Sequence, residues 1–248
     1  IERLNQALAI SEEIGDRKSQ GDHLGNLGRA YQSLGQYERA IALHMKGLAI
    51  SEEIGHRLGE GTELANLGSI YGSLGQYERA IEYIVEALAI SQEMGDQQGE
   101  GSRLGNLGAA YDSLGLHTRA IEYHTQALAI LKEIGDRQGE GHRLGSLGNA
   151  YRNLGQHGNA IEHYKQALAI SVEIGDRQGE GHVLYNLGLI HGEDPAAGLP
   201  WLQQSAAAFD KLWSALATDD RRVSYGETFT NTGRALQLTH AALGQPEA

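Results

Sequence analysis

The chain has 248 residues, with 20 Lys and Arg against 32 Asp and Glu, and its net charge is -12. Because this balance repels phosphate backbones and anionic membrane surfaces, we expect neither a nucleic-acid partner nor a membrane partner. The absence of cysteine excludes disulfides, thiolate metal sites and a cysteine nucleophile. No apolar run approaches the ~20 residues that cross a bilayer, and the first residues lack a signal-peptide pattern, so we expect a cytoplasmic protein.

The sequence repeats itself every 40 residues. The tripeptide Leu-Ala-Ile begins at Leu8 and recurs at this interval as far as Leu168. A glycine follows seven residues later each time, from Gly15 to Gly175. The 34 glycines therefore mark fixed positions in a repeat, whereas a low-complexity chain would scatter them. A fixed period of this length indicates a solenoid.

The apolar residues of one period fall on two helices. In the second complete period the first helix is indicated by residues at i, i+3, i+4 and i+7, namely Leu64, Leu67, Gly68 and Tyr71. The same spacing continues from Ala80 to Ile90. Glycine suits the position after a helix, and Asp caps the next one. We therefore predict an antiparallel helix pair near 58–74 and 77–94, with its seam buried around Gly68 and Tyr71.

The two ends of the repeat array are irregular. Residues 1–14 match only a second helix, which indicates a piece of a longer protein and an apolar edge of Leu4, Leu8 and Ile10 that packs end to end on another copy. Because proline is tolerated only in the first turn of a helix, Pro195 and Pro200 predict a shortened helix from about 199 to 217 and a last helix from about 219 to 243. The apolar stripe of the shortened helix consists of Phe209, Leu212, Trp213 and Leu216.

These motifs resemble the tetratricopeptide repeat (TPR) family. The string Leu-x2-Leu-Gly-x2-Tyr begins at Leu24, Leu64, Leu104 and Leu144, and the second-helix alanines that follow are Ala40, Ala80, Ala120 and Ala160. This is similar to the TPR pattern W-x2-L-G-x2-Y followed by A-x3-F, with Leu in place of Trp and the last aromatic position relaxed. The fifth copy has His191 where Tyr is expected. The resemblance covers roughly residues 1–193 and implies an all-α, right-handed α-solenoid of antiparallel helix pairs.

The predicted units are a partial repeat at 1–17, four repeats at 18–57, 58–97, 98–137 and 138–177, an irregular fifth repeat at 178–217, and a C-terminal helix with a tail at 218–248. The lengthened repeat resembles Pins-type adaptors and the TPR arrays of bacterial regulators. Residues 214–229 are similar to the junction in TPR proteins that carry a caspase-like CHAT domain. That resemblance implies an effector domain beyond residue 248.

No group of residues predicts catalysis, a cofactor or a metal. The glycines at 99, 101 and 105 recur one period later at 139, 141 and 145 and follow a helix, so they belong to the repeat and do not form a phosphate loop. His142 and His182 share one repeat position, but no third ligand aligns with them. Adjacent carboxylates such as Glu52 and Glu53 diverge on a helix surface. We therefore predict a protein that is not an enzyme.

The TPR resemblance implies that the first helices line a concave groove. The helix face opposite Leu64 and Leu67 then carries a polar, nearly uncharged stripe, which in the second repeat is Thr62, Asn66, Ser69 and Ser73. The candidate peptide-binding residues on and beside this stripe are Asn26, Arg29, Asn66, Arg103, Asn106, His142, Arg143, Asn149, His182 and Asn186. Asparagine amides both donate and accept, so a row of them suits a peptide main chain. The alternative is that these amides bond within their own repeats.

These observations predict a protein-protein interaction scaffold whose groove holds an extended peptide segment of a partner. The alternative is a sensing or autoinhibitory arm of a larger effector, either a caspase-like protease or a regulatory NTPase. The arginines at 103 and 143 stand one repeat apart, where they would meet an acidic side chain of the partner.

Overall fold

The computed structural model describes residues 1–192, 194–215 and 219–243. These residues form helices and no strand, with the bounds α1 Glu2–Glu13, α2 Arg17–Ser33, α3 Tyr37–Glu53, α4 Arg57–Ser73, α5 Tyr77–Met94, α6 Gln97–Ser113, α7 His117–Glu133, α8 Arg137–Asn153, α9 His157–Ile174, α10 Arg177–Leu189, α11 Pro195–Ala215 and α12 Asp219–Ala242. The chain divides into two compact units, residues 1–130 (unit 1) and 131–248 (unit 2). Each unit is a solenoid of antiparallel helix pairs. Among the described residues no helix has both the length and the apolar composition needed to cross a membrane.

A glycine stands in each turn between successive helices from α1 to α10. Positive φ angles occur every 20 residues, at Gly15, Gly35, Gly55, Gly75, Gly95, Gly115, Gly135, Gly155 and Gly175. Any other residue would be strained in this left-handed conformation. The next first helix is capped by an aspartate in four turns, as where Asp96 accepts a hydrogen bond from the backbone N–H of Gly99 at 2.9 Å. The helices α4 and α5 follow His56 and Gln76, neither of which caps through its side chain, and they still begin and end within one residue of the predicted 58–74 and 77–94.

In unit 1 each first helix approaches its second helix at a glycine. A Cβ atom on Gly108 would lie 2.5 Å from Cε1 of the buried His124. A Cβ atom on Gly68 would lie 2.6 Å from Cγ1 of Ile84 and 3.2 Å from the carbonyl oxygen of Ala80. Because these neighbours are buried and well packed, any side chain at the glycine would force the helices apart. The predicted close approach at Gly68 is confirmed.

Tyr71 packs against the buried residues of this seam, as predicted, but its ring is not enclosed there. It is only half-buried, and its ring stacks on that of Tyr83 with a centroid separation of 5.3 Å. The guanidinium of Arg79 lies 5.5 Å above the Tyr71 ring. Stacked rings and a cation over an aromatic face are both favourable at a partly exposed position. The repeat tyrosine therefore belongs to a surface stack beside the seam.

A buried polar pair joins the first two helix pairs of unit 1. Nδ1 of His44 in α3 shares a hydrogen bond of 2.5 Å with Oε2 of Glu63 in α4, and both side chains are buried. Gly25 and Gly47 lie against the Glu63 carboxylate and leave the space that it occupies. Buried polar groups need such partners, so the pair fixes how α3 packs on α4.

The last helix pair of unit 2 differs from the prediction. Pro195 is the first residue of α11, so the helix begins earlier than the expected residue 199, and Pro200 lies inside it. Pro200 is exposed, so water can reach the backbone carbonyl whose hydrogen bond the proline removes. The buried Leu202 packs against Gly188, as Tyr164 packs against Gly148 in the preceding pair.

The predicted apolar stripe of α11 is described only in part. Phe209 is buried, and a Cβ atom on Gly181 would lie 2.7 Å from the end of its ring. Leu212 is half-buried. The side chain of Trp213 lies outside the described residues, as does Leu216. The same holds for Glu193 and for the tail at 244–248.

Candidate functional site

In unit 2 the first helices α8 and α10 border a polar cavity. Its volume is about 480 Å³, and five of the predicted binding residues line it: His142, Arg143, Asn149, His182 and Asn186. Ser146, which interrupts the row of asparagines, also lines this cavity. The structure therefore brings half of the predicted set to one place.

In unit 1 a second cavity lies along α4, α5 and α6. Its volume is about 310 Å³, and Asn106 lines it together with the stripe residues Ser69, Ser73, Ala109 and Ser113. The predicted residues that line neither cavity are Asn26, Arg29, Asn66 and Arg103. The small side chains of Ser69, Ser73, Ala109 and Ser113 make this cavity an open surface. It has room for a peptide backbone and is not shaped around one large ligand group.

The asparagine amides of unit 1 fall into two groups. The side chain of Asn66 is half-buried and that of Asn106 is exposed, and neither makes a hydrogen bond to any described residue. Asn26 differs, because its Oδ1 accepts a hydrogen bond from Nη2 of Arg29. Asn26 and Arg29 therefore bond within their own helix, as the alternative interpretation expects, while Asn66 and Asn106 keep both the amide oxygen and the amide nitrogen available.

The asparagine amides of unit 2 are held by neighbouring side chains. Oδ1 of Asn149 accepts a hydrogen bond of 2.7 Å from the Tyr164 hydroxyl. Oδ1 of Asn186 accepts one of 3.0 Å from Nη1 of Arg152, which belongs to the preceding helix pair. Within the described part of unit 2 the two NH2 groups have no partner. These amides therefore present donors only.

Of the three predicted arginines, Arg103 and Arg143 make no bond within their own helix, and their surroundings differ. Burial lowers the pKa of the Arg103 guanidinium, an effect that Asp96 opposes, and Nε of Arg103 is buried without a hydrogen-bond partner among the described residues. Burial also lowers the pKa of the Arg143 guanidinium, with no opposing contribution from a carboxylate. Arg143 lines the unit 2 cavity and makes neither a hydrogen bond nor an ion pair with the described residues of that unit.

The two predicted histidines line the cavity but do not form a metal site. The ring of His182 meets the edge of Phe209 at a centroid distance of 5.4 Å. Burial lowers the pKa of His182, and the charge of Asp176 opposes this shift. His142 is exposed. No group of three or more His, Asp or Glu side chains that would hold a metal ion occurs in the part of the chain that the structure describes.

Sequence reasoning missed the two residues that orient the unit 2 amides. Tyr164 follows Ala160 at the relaxed aromatic position, and it is the copy whose hydroxyl reaches the first helix. Arg152 occupies the position of Gln32, whose amide donates to Ser69 of the next repeat at 3.2 Å in unit 1. Both residues could have been singled out in the sequence, because each differs from the residue at the same position of the other repeats.

Solved structures share this fold at low sequence identity. BtubC (BKLC) from P. vanneervenii is 18% identical with a TM-score of 0.70, and the match covers 100% of this chain and 92% of that chain. A signal transduction ATPase (STAND protein) with a tetratricopeptide repeat sensor from Pyrococcus horikoshii is 20% identical with a TM-score of 0.73, covering 94% of this chain and 38% of that chain. A Rap protein complexed with Competence and Sporulation Factor is 16% identical with a TM-score of 0.66, covering 92% of this chain and 68% of that chain. No curated protein sequence matches the chain.

The family model for the tetratricopeptide repeat matches residues 1–53, 62–133 and 143–211, which is most of the chain. Proteins built from this repeat are generally scaffolds for protein-protein interaction, and no catalytic family is indicated. Together with the helix pairs of both units, this match shows that the chain belongs to the tetratricopeptide repeat family.

Proposed function

We propose that this protein binds an extended segment of a partner protein along its first helices, through hydrogen bonds to the main chain of that segment. The observation that carries the proposal is the pair Asn66 and Asn106. The two amides occupy the same position in successive repeats of unit 1, and neither bonds to a described residue. A free amide satisfies one N–H and one C=O of a peptide at once.

The spacing of the two helices suits an extended ligand. Asn66 lies on α4 and Asn106 lies on α6, and these first helices contact each other. Packed helices stand about 8–10 Å apart, and an extended chain rises about 3.3 Å per residue. Successive asparagines would therefore meet every third residue of the segment. The small neighbours Ser69, Ser73 and Ala109 leave room for its backbone.

The Rap protein similar to this chain was solved in complex with Competence and Sporulation Factor, which supports a binding role for such a fold. The neutral stripe adds to this support, since it stands in a chain of net charge -12. The net charge of the chain gives no electrostatic reason for this one helix face to lack charged residues.

The test uses peptides selected from a random dodecapeptide library on the full chain. Replacing Asn66 and Asn106 together by Ala should weaken the selected peptides by about 1–3 kcal/mol, because peptide groups lose partners in a shielded groove. Replacing one peptide N–H by N-methyl at successive positions should weaken binding at every third position. Calorimetric titration measures both effects.

The matched control is Gln126→Ala, which removes an exposed amide from the second helix α7. It should leave affinity unchanged. Full affinity in the asparagine double variant would mean that binding uses another face. A large fall in its melting temperature would instead show that the two amides serve their own repeats.

A second candidate function is that of a sensing or autoinhibitory arm in a larger effector, such as a caspase-like protease or a regulatory NTPase. The similarity to the STAND protein with a tetratricopeptide repeat sensor favours this candidate, because the match covers 38% of that chain. Reading the open reading frame beyond residue 248 tests it. A frame that encodes neither an NTPase nor a protease domain would contradict it.

A further inference from the structure

The second helix of a repeat interlocks with two glycines of its first helix. In the first repeat, a Cβ atom on Gly28 would lie 2.5 Å from Nε2 of His44. A Cβ atom on Gly21 would lie 3.5 Å from Cγ2 of Ile50. The same contacts recur in the second and fourth repeats, where the filling residues are Ile84, Ile90, Tyr164 and Ile170. Two glycines seven residues apart therefore form two depressions, which are filled by side chains six residues apart.

The last helix, α12, has the same pattern as a first helix. Gly226 and Gly233 lie seven residues apart within it, which is the spacing of the glycine pair in α10. Thr232 is buried directly before Gly233, where α10 has the buried Leu187. The helix also packs on α11, as α10 packs on the second helix that precedes it. These features identify α12 as a first helix with its own pair of glycines.

The glycine face of α12 is open. A Cβ atom on Gly233 would meet no described residue within 4 Å, whereas a Cβ atom on Gly188 would lie 2.5 Å from Cγ of Leu202. A cavity of about 430 Å³ lies beside Gly233, between α11 and α12. Small or aliphatic side chains line it at Ala206, Ala207 and Leu236. A helix laid on this face would reach Gly233 without displacing any described residue.

The complementary surface is presented by α1. The period of 40 residues places Leu4 at the position of His44 and Ile10 at the position of Ile50. His44 is fully buried and Ile50 is 8% exposed, whereas Leu4 is half-buried and Ile10 is 59% exposed. The two side chains that would fill the glycine depressions of a first helix therefore remain accessible on α1.

A helix that fits the open face of α12 needs a large side chain at each of two positions six residues apart. Leu4 and Ile10 have this spacing, and both are aliphatic, as Ile84 and Ile90 are in the second repeat. The charges agree as well, because Arg3 precedes Leu4 and Asp210 lines the receiving cavity. A second copy of this chain therefore has the residues that the α12 face requires.

We propose that α12 is the docking surface for α1 of a second copy, with Leu4 placed at Gly233 and Ile10 at Gly226. The two surfaces are different and each copy carries one of each, so the contact is head to tail. A head-to-tail contact repeats from copy to copy, and assemblies therefore grow as the concentration rises. The proposal is independent of peptide binding, because none of these four residues belongs to the predicted binding set.

The experiment blocks the two surfaces one at a time in the full chain. Ile10→Glu places a charge on α1, and Gly233→Arg fills the depression on α12 with a long side chain. Sedimentation velocity at increasing concentration should show growing assemblies for the parent chain. Each substitution should weaken self-association at least about 10-fold, because a charge or a bulky group then lies in an apolar contact. Both positions are exposed, so the melting temperature of the dilute chain should not fall.

Mixing the two variants tests whether the surfaces are partners. The Ile10→Glu chain keeps an intact α12, and the Gly233→Arg chain keeps an intact α1. An equimolar mixture should therefore form a dimer of one copy of each and nothing larger. Matched controls are Val172→Glu at a side chain that is 56% exposed and Gly158→Arg at an exposed glycine of α9. Both control variants should assemble as the parent does.

Several results would overturn the proposal. A parent chain that stays monomeric at every concentration would show that the two surfaces do not meet. A dimer that Ile10→Glu abolishes and Gly233→Arg leaves intact would show that α1 packs on α1 of the other copy. Assembly that survives both substitutions would place the contact on another face. Blocked variants that stay monomeric when mixed would show that α1 and α12 are not partners.

Discussion

In unit 1 the amides of Asn66 and Asn106 make no hydrogen bond to a described residue, whereas in unit 2 the amide oxygens of Asn149 and Asn186 accept bonds and only their NH2 groups lack a described partner. The first helices of both units carry the same Leu-x2-Leu-Gly framework. The difference arises on other helices, because a tyrosine or an arginine there donates to the amide oxygen. The hydrogen-bonding character of a repeat surface is thus set by residues around the motif as well as by the motif itself.

The two units also differ at an identical position of the motif. A Cβ atom on Gly25 of unit 1 would overlap Oε1 of Glu63, which is held in its buried bond to His44. Gly145 stands three repeats later, and a Cβ atom there would meet nothing within 4 Å. The same glycine is therefore required for packing in one unit and replaceable in the other.

The largest loss of stability is expected at the seam glycine, which lies against a buried ring in both units. Gly108→Arg in unit 1 should destabilise the chain by at least about 2 kcal/mol, because its side chain would have to displace the buried ring of His124. Gly158→Arg is the matched control, since nothing lies within 4 Å of a Cβ atom on that exposed glycine of α9. Denaturant unfolding measures both. Equal stability of the two variants would mean that the seam is misplaced.

A smaller effect, of opposite sign in the two units, should sharpen the comparison at Gly25 and Gly145. Gly25→Ala should cost about 1–3 kcal/mol, since it separates the Glu63 carboxylate from His44 and leaves buried polar groups unpaired. Gly145→Ala should stabilise the helix α8 by about 0.5–1 kcal/mol, because alanine is the better helix former. Urea midpoints decide the sign. Destabilisation by both would show that the position has the same role in each unit.

The smallest effect concerns the ends of the array. Ile10 and Ile14 at the end of α1 are 59% and 69% exposed, beside the half-buried Leu4 and Leu8. We propose that this face packs end to end on another copy, and we expect Ile10→Glu to lower the mass seen by light scattering at high concentration. Val172→Glu removes an aliphatic side chain that is 56% exposed on α9 and should not lower it. A parent chain that is already monomeric at that concentration would contradict the proposal.

Helix bounds followed from the sequence because the same glycine signal recurs every 20 residues and an aspartate cap starts four of the first helices. The start of α11 at Pro195 could not be predicted from the sequence. Whether a helix tolerates Pro200 in its interior depends on whether that side of the helix is exposed. The sequence placed Tyr71 at the seam, where it packs, but helical spacing alone does not predict that its ring stays half-buried and stacks on Tyr83.

The candidate site was predictable in position and not in chemistry. A helical wheel put Asn106, Asn149 and Asn186 on the polar stripe, and each of them lines one of the two cavities, whereas Asn66 lines neither. Which atom of each amide is free depends on Tyr164 and Arg152, whose reach across a helix or a repeat is a property of three-dimensional packing. The deep placement of Nε of Arg103 could not be read from the sequence for the same reason.

The bond from Arg152 to Asn186 crosses from one repeat to the next, and it bears on how such arrays diversify. A recombination event that duplicated or deleted one 40-residue unit would leave the glycine turns intact, because these glycines recur at a fixed interval. It would nevertheless separate an asparagine from the arginine that orients it. Gene rearrangement would therefore change which amide atoms this surface presents without a single point mutation, and a transplanted repeat would need its upstream neighbour to keep the Asn186 amide in this orientation.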